Sequence, residues 1–208
     1  MAAFFSNLRN TVIAGFVLAA LVLLIRVGAG QSALDFKSVA FWLFIERWLH
    51  IISGVMWIGL LYYFNFVSTP TMPKIPAELK PALGKFITPA ALFWFRWSAM
   101  STLFFGLLLA WQNGYIVQAY TLDATENFIN TPYLLIGIGM WLATIMWFNV
   151  WFVIWPNQQK ALNIDNRYPD LAQPQKDASA KTAGMFSRVN TMLSIPMLFC
   201  MAAAMHLP

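Results

Sequence analysis

The chain has 208 residues, 60% of them hydrophobic and only 10% charged, with 13 Lys and Arg against 8 Asp and Glu. An average soluble domain carries roughly 25% charged residues, so this composition excludes a soluble globular fold. The net charge of +5 does not indicate nucleic acid, because no Lys/Arg cluster is interleaved with exposed aromatics and the excess sits between apolar runs. One cysteine, Cys200, lies inside an apolar run, which excludes a disulfide framework, a paired-cysteine zinc site and a Cys-x-x-Cys-His haem attachment.

The apolar runs lie at approximately 11–28, 40–67, 86–111, 132–155 and 186–207, each near the roughly 20 residues that cross about 30 Å of hydrocarbon at 1.5 Å per residue. They predict an all-α integral membrane protein, a bundle of about five transmembrane helices in a single domain over residues 1–208. The first run follows Arg9 and ends at Gly28-Ala29-Gly30. It has some look of a signal peptide and is counted as the first spanning helix. A short connection with Asp35 and Lys37 leads to the second run, and a loop with Pro70, Pro73, Pro76 and Pro81 leads to the third. An acidic loop with Asp123 and Glu126 precedes the fourth, and a long polar loop from Pro156 to Gly184 precedes the fifth. Prolines and polar residues mark these ends as helix stops. No internal repeat is present.

Orientation follows from Lys and Arg, which are retained on the cytoplasmic side of short loops. With the N-terminus inside, that side carries Arg9, Lys74, Lys80, Lys85, Lys160, Arg167, Lys176, Lys181 and Arg188, and the other only Arg26, Lys37 and Arg47. Nine against three predicts the N-terminus inside and the C-terminus outside.

Lipid does not solvate ionisable side chains, so those within spans are candidate functional residues. His50 lies about 25 Å and His206 about 30 Å from the inner ends of their helices, which places both in the outer leaflet. Two imidazoles at one level are the arrangement a b-type haem requires for its axial ligands. Gly54 lies one turn from His50, and Ala202 and Ala203 one turn from His206, leaving room for a flat ring bordered by Trp57 and Phe199. Arg47 and Arg26 are placed to neutralise propionates. The alternative stays open: an interfacial His206, and a His50 that only bonds a neighbouring helix. A bare metal site has less support, with Glu46 as the one nearby carboxylate.

Arg96, Asn65, Asn149 and Asn190 fall towards the inner side, with Arg188, and form a second candidate, a polar membrane cluster for a quinone, a purine or an anionic group. Its alternative is interhelical hydrogen bonding with a snorkelling arginine. Trp42, Trp94, Trp111 and Trp155 near helix ends fit an interfacial aromatic belt, and Pro196 is expected to kink the last helix.

Glu46-Arg47-Trp48-Leu49-His50, followed by Gly54, Trp57-Ile58-Gly59, Tyr62-Tyr63-Phe64-Asn65-Phe66 and Trp94-Phe95-Arg96-Trp97, resembles the N-terminal membrane domain of the bacterial cytochrome c-linked urate oxidase (urate hydroxylase) family. The resemblance spans 41–111 strongly and the rest loosely, including Trp147-Phe148-Asn149-Val150-Trp151 and the ending at His206. It implies a multi-pass redox protein of the bacterial inner (cytoplasmic) membrane whose electrons pass to a c-type cytochrome. The chain departs from that pattern in lacking the C-terminal cytochrome motif.

Three functions follow as expectations. The first is a haem b electron-transfer subunit, with His50 and His206 as iron ligands, working with a c-type cytochrome or a larger membrane complex. The second is a membrane urate oxidase, and the third a cofactor-free accessory subunit of such a complex. Carboxylate trains, repeated charges and paired broken helices are absent, which gives a pump, channel or transporter little support.

Overall fold

The computed structural model describes residues 2–28, 35–124 and 131–207, which divide into two compact units, Met1–Phe44 and Ile45–Pro208. Among the described residues all regular structure is helical.

The first unit holds α1 (Ala2–Phe5), α2 (Leu8–Gly28) and the start of α3 (Val39–Tyr62). Asn7 caps α2, its side-chain oxygen accepting from the Arg9 and Asn10 N–H groups at 3.0 and 3.4 Å. Ser38 caps α3 in the same way, accepting from the Phe41 N–H at 3.2 Å. Each cap satisfies donors that the first turn leaves without intrahelical partners.

In the second unit α3 continues through a π-helical segment (Tyr63–Ser68), α4 (Thr69–Thr71) and a short 3-10 turn (Met72–Lys74). The next long segment comprises α5 (Lys80–Ala82), a π-helical segment (Leu83–Ile87) and α6 (Thr88–Gln112), followed by the short α7 (Ile116–Tyr120). After it, α8 (Thr131–Phe148) runs through a third π-helical segment (Asn149–Ile154) into α9 (Trp155–Leu162), and α10 (Gln173–His206) closes the chain. Pro70, Pro89 and Pro156 each stand second in the helix that follows a π-helical segment. Proline has no N–H and crowds the carbonyl four residues back. A wider turn just before it relieves that clash without ending the helix.

Among the described residues five helical stretches are long and apolar enough to cross a membrane: Leu8–Ile25, Val39–Lys74, Lys80–Gln112, Pro132–Leu162 and Gln173–His206. The helices outrun the apolar runs that announce them. The stretch from Pro156 to Gly184, expected as a polar loop, is mostly helix, with α9 reaching Leu162 and α10 starting at Gln173. Hydropathy reports the solvent around a helix, whereas the helix continues as long as its backbone bonds are satisfied.

The core of this unit is formed by Trp57, Leu61, Phe95, Ala99, Met146 and Val150, with Ala183 and Met197 of α10. Close approach of α10 to α8 depends on Gly139, where an added Cβ would lie 3.2 Å from Cys200 Cβ. Large apolar side chains such as Val55, Phe66 and Ile195 stand exposed on the outer faces, as lipid-facing side chains do.

Candidate functional site

Three hydrogen bonds run down the seam between α3 and α6. Glu46 Oε1 accepts from Gln112 Nε2 at 2.7 Å, His50 Nδ1 lies 2.9 Å from the Thr102 carbonyl oxygen, and the Ser53 and Ser101 hydroxyls share a bond at 2.8 Å. A carbonyl oxygen only accepts, so Nδ1 carries the proton and a neutral ring keeps its lone pair on Nε2. Thr102 is itself held, its hydroxyl donating to the Ser98 carbonyl at 2.7 Å. The imidazole rests against Gly106, the only residue type with no side chain in its way.

Beside His50 opens a cavity of about 410 Å³, lined by Gly54, Trp57, Thr102, Ala143 and Met201 among others. A recess of about 30 Å³ adjoins the same histidine and is bordered by Gly106, Tyr120 and Met140. Trp57 is 1% exposed and its indole N–H has no acceptor among the described residues. The cavity thus combines apolar walls, one unpaired N–H donor and one imidazole with an available lone pair. That arrangement suits a largely apolar ligand with a polar edge. It also suits a metal-bearing ring, because a histidine whose Nδ1–H is held by a backbone carbonyl presents a fixed and more basic Nε2.

Of the residues expected around a haem, His50, Gly54 and Trp57 line this cavity, and Phe199, Ala202 and Ala203 do not. Arg47 is exposed, and its charge acts on Tyr115, whose hydroxyl burial pushes above its ordinary value while Arg47 pulls the other way. His206 is the last residue of α10, exposed, and borders neither space. The side chain of Arg26 lies outside the described residues. Thr102, Gly106 and Met201 went unnoticed in the sequence; of these, only Gly106, a glycine inside an apolar helix, carries a local signal. Among the described residues no three His, Cys, Asp or Glu side chains gather as a metal site.

The inner polar residues separate into two groups. Asn149 Nδ2 donates to Asn190 Oδ1 at 2.8 Å, and Asn190 Nδ2 donates to the Met146 carbonyl at 2.9 Å. Asn65 Nδ2 is shared between the Ser187 hydroxyl and the Leu61 carbonyl at 2.8 and 2.9 Å. These bonds tie α10 to its neighbours. Arg96 joins none of them; its guanidinium lies 3.7 Å from the centre of the Trp155 ring and 5.1 Å from that of Trp151.

Fold and site define a helical protein with helices long and apolar enough for a membrane and a histidine-bearing apolar cavity in its second unit. A family model described as "Urate oxidase N-terminal" matches residues 116–208, and the chain is similar to that family over this stretch, somewhat less than half of its length. The match falls on α7 to α10, the part whose likeness looked looser in the sequence, rather than on 41–111. It takes in Ala143, Met197, Leu198 and Met201 of the cavity wall, while His50, Gly54 and Trp57 precede it. No curated protein and no solved structure matches the chain.

Proposed function

We propose that the chain is a membrane-embedded redox module of the urate oxidase type, with the cavity at His50 as its cofactor site. The observation that carries this reading is the convergence of the urate oxidase N-terminal-like helices α8 and α10 on the cavity that holds the anchored imidazole of His50. The cofactor proposed is haem b, which supplies one-electron transfer when bound. His50 Nε2 would hold its iron, and the apolar walls would exclude water from it. A protein of this kind sits in the bacterial inner membrane with its N-terminus inside, and passes electrons to a c-type cytochrome or a larger membrane complex.

A second reading, catalysis of urate oxidation by the chain itself, is favoured by the family match. One experiment addresses both. Reduced-minus-oxidised visible spectra are recorded for the purified chain, His50→Ala and His206→Ala, with haem supplied during expression, and urate-driven reduction of cytochrome c is followed in parallel. A b-type signal lost in His50→Ala supports the haem site. Urate-driven cytochrome reduction without that signal favours the enzyme reading, and neither result leaves a cofactor-free accessory subunit.

A further inference from the structure

Four buried N–H donors on α6 and on the α8–α9 helix have no acceptor among the described residues. Arg96 leaves Nε and Nη1 unpaired, Trp151 leaves its indole N–H, and Trp147, four residues earlier, leaves another. No carboxylate faces Arg96 in an ion pair among the described residues. A cation and N–H groups held away from water without acceptors are costly. Aromatic rings alone repay only part of that cost. The deficit is of one kind, since every unpaired atom is a donor and one group carries full positive charge. It calls for an anionic oxygen ligand rather than a neutral one.

Depth and surroundings narrow the ligand. Trp155, whose ring the guanidinium covers, stands seven residues before Leu162, about 10 Å from that end of the helix. An arginine at this depth reaches the headgroup boundary by snorkelling. Arg167 is paired instead with Asp165, at 3.9 Å, so Arg96 supplies the charge at this place. None of these residues borders the His50 cavity.

We infer that Arg96 and the Trp151 indole N–H form a phosphate-binding site at the Leu162 end of the bundle, taking the headgroup of an anionic phospholipid or a free phosphate ion. Arg96 supplies charge and a forked pair of donors, which suits phosphate oxygens. Trp151 supplies one further donor, and the Trp155 ring, 3.7 Å from the guanidinium, restrains it.

The test is the thermal unfolding midpoint of the whole chain in detergent, followed against concentration of phosphatidylglycerol, of diacylglycerol with the same acyl chains, of sodium phosphate and of urate. Phosphatidylglycerol, sodium phosphate or both are expected to raise the midpoint, and the arm that responds identifies the source. Diacylglycerol is expected to do nothing. Arg96→Gln should weaken the apparent affinity at least about ten-fold, the scale of a lost charged hydrogen bond. Trp151→Phe, which removes only the N–H and keeps the ring, should weaken it by a few-fold in a protein that still folds. Equal responses in all three proteins, no response to either phosphate source, or an Arg96-dependent response to urate alone would each overturn the assignment.

Discussion

The imidazole of His50 packs so closely on Gly106 that a Cβ there would lie 3.0 Å from Cε1 and 3.3 Å from Nδ1. Glycine at 106 therefore sets both the height of the ring and its 2.9 Å bond to the Thr102 carbonyl. Gly106→Ala is expected to tilt the ring out of that bond and destabilise the protein by about 1–3 kcal/mol, the usual cost of overfilling a packed contact. Equilibrium unfolding in detergent measures it, and wild-type stability with an unchanged His50 environment would refute the constraint.

Gly137 meets a harder obstacle. A methyl group at this position would run into the carbonyl oxygen of Ala119 and also press on the Leu122 side chain. A backbone carbonyl cannot swing aside as a side chain does, so Gly137→Ala should cost about 3 kcal/mol and loosen α7 from α8. Gly59→Ala, where the added carbon meets nothing within 4 Å, serves as the control and should unfold like the parent.

The Asn149–Asn190–Met146 chain is fully buried at Asn190, which has 0% exposure. Asn190→Leu leaves the Asn149 amide and the Met146 carbonyl without their partners, at an expected cost of about 2 kcal/mol. Asn149→Leu combined with it should cost less than the sum of the two single changes, because one bond is lost only once. Strict additivity in the double-mutant cycle would show that the two asparagines act independently.

Tyr115 offers a pH dependence outside the spanning segments. Burial raises its hydroxyl above the ordinary value of 10.0, with the Arg47 charge opposing. Below pH 10.0 both folded and unfolded chains keep the proton and the contribution is complete. Above it the unfolded chain releases the proton first, so stability falls until the folded group also titrates. Tyr115→Phe should abolish that part of the alkaline loss, as unfolding midpoints on either side of pH 10 would reveal.

How much of this was legible in the sequence differs from residue to residue. The five helices that, among the described residues, are long and apolar enough to cross a membrane were readable because apolar runs of that length have few other uses. Their true ends were not, because Gln158, Gln159 and Lys160 continue α9 where the hydropathy has already dropped. His50 stood out as a histidine in an apolar run, and Gly54 as the small residue one turn away; both border the cavity. His206 stood out for the same reason and borders neither space.

The sequence by itself determined the class of the protein, since composition and run length are properties of the solvent each residue tolerates. It determined the likeness to the urate oxidase N-terminal family in the same sense, through the identity of residues along the chain. Only the tertiary structure decided which polar groups meet. Thr102 lies 52 residues from His50, and Asn190 lies 41 from Asn149, distances over which no local periodicity carries information. The same packing gave every asparagine of the inner cluster an acceptor and left Arg96 Nε and Nη1 among tryptophan rings with none among the described residues. Partners are chosen by the register of helices against one another, and that register is set by where glycines such as Gly137 and Gly139 let two backbones close.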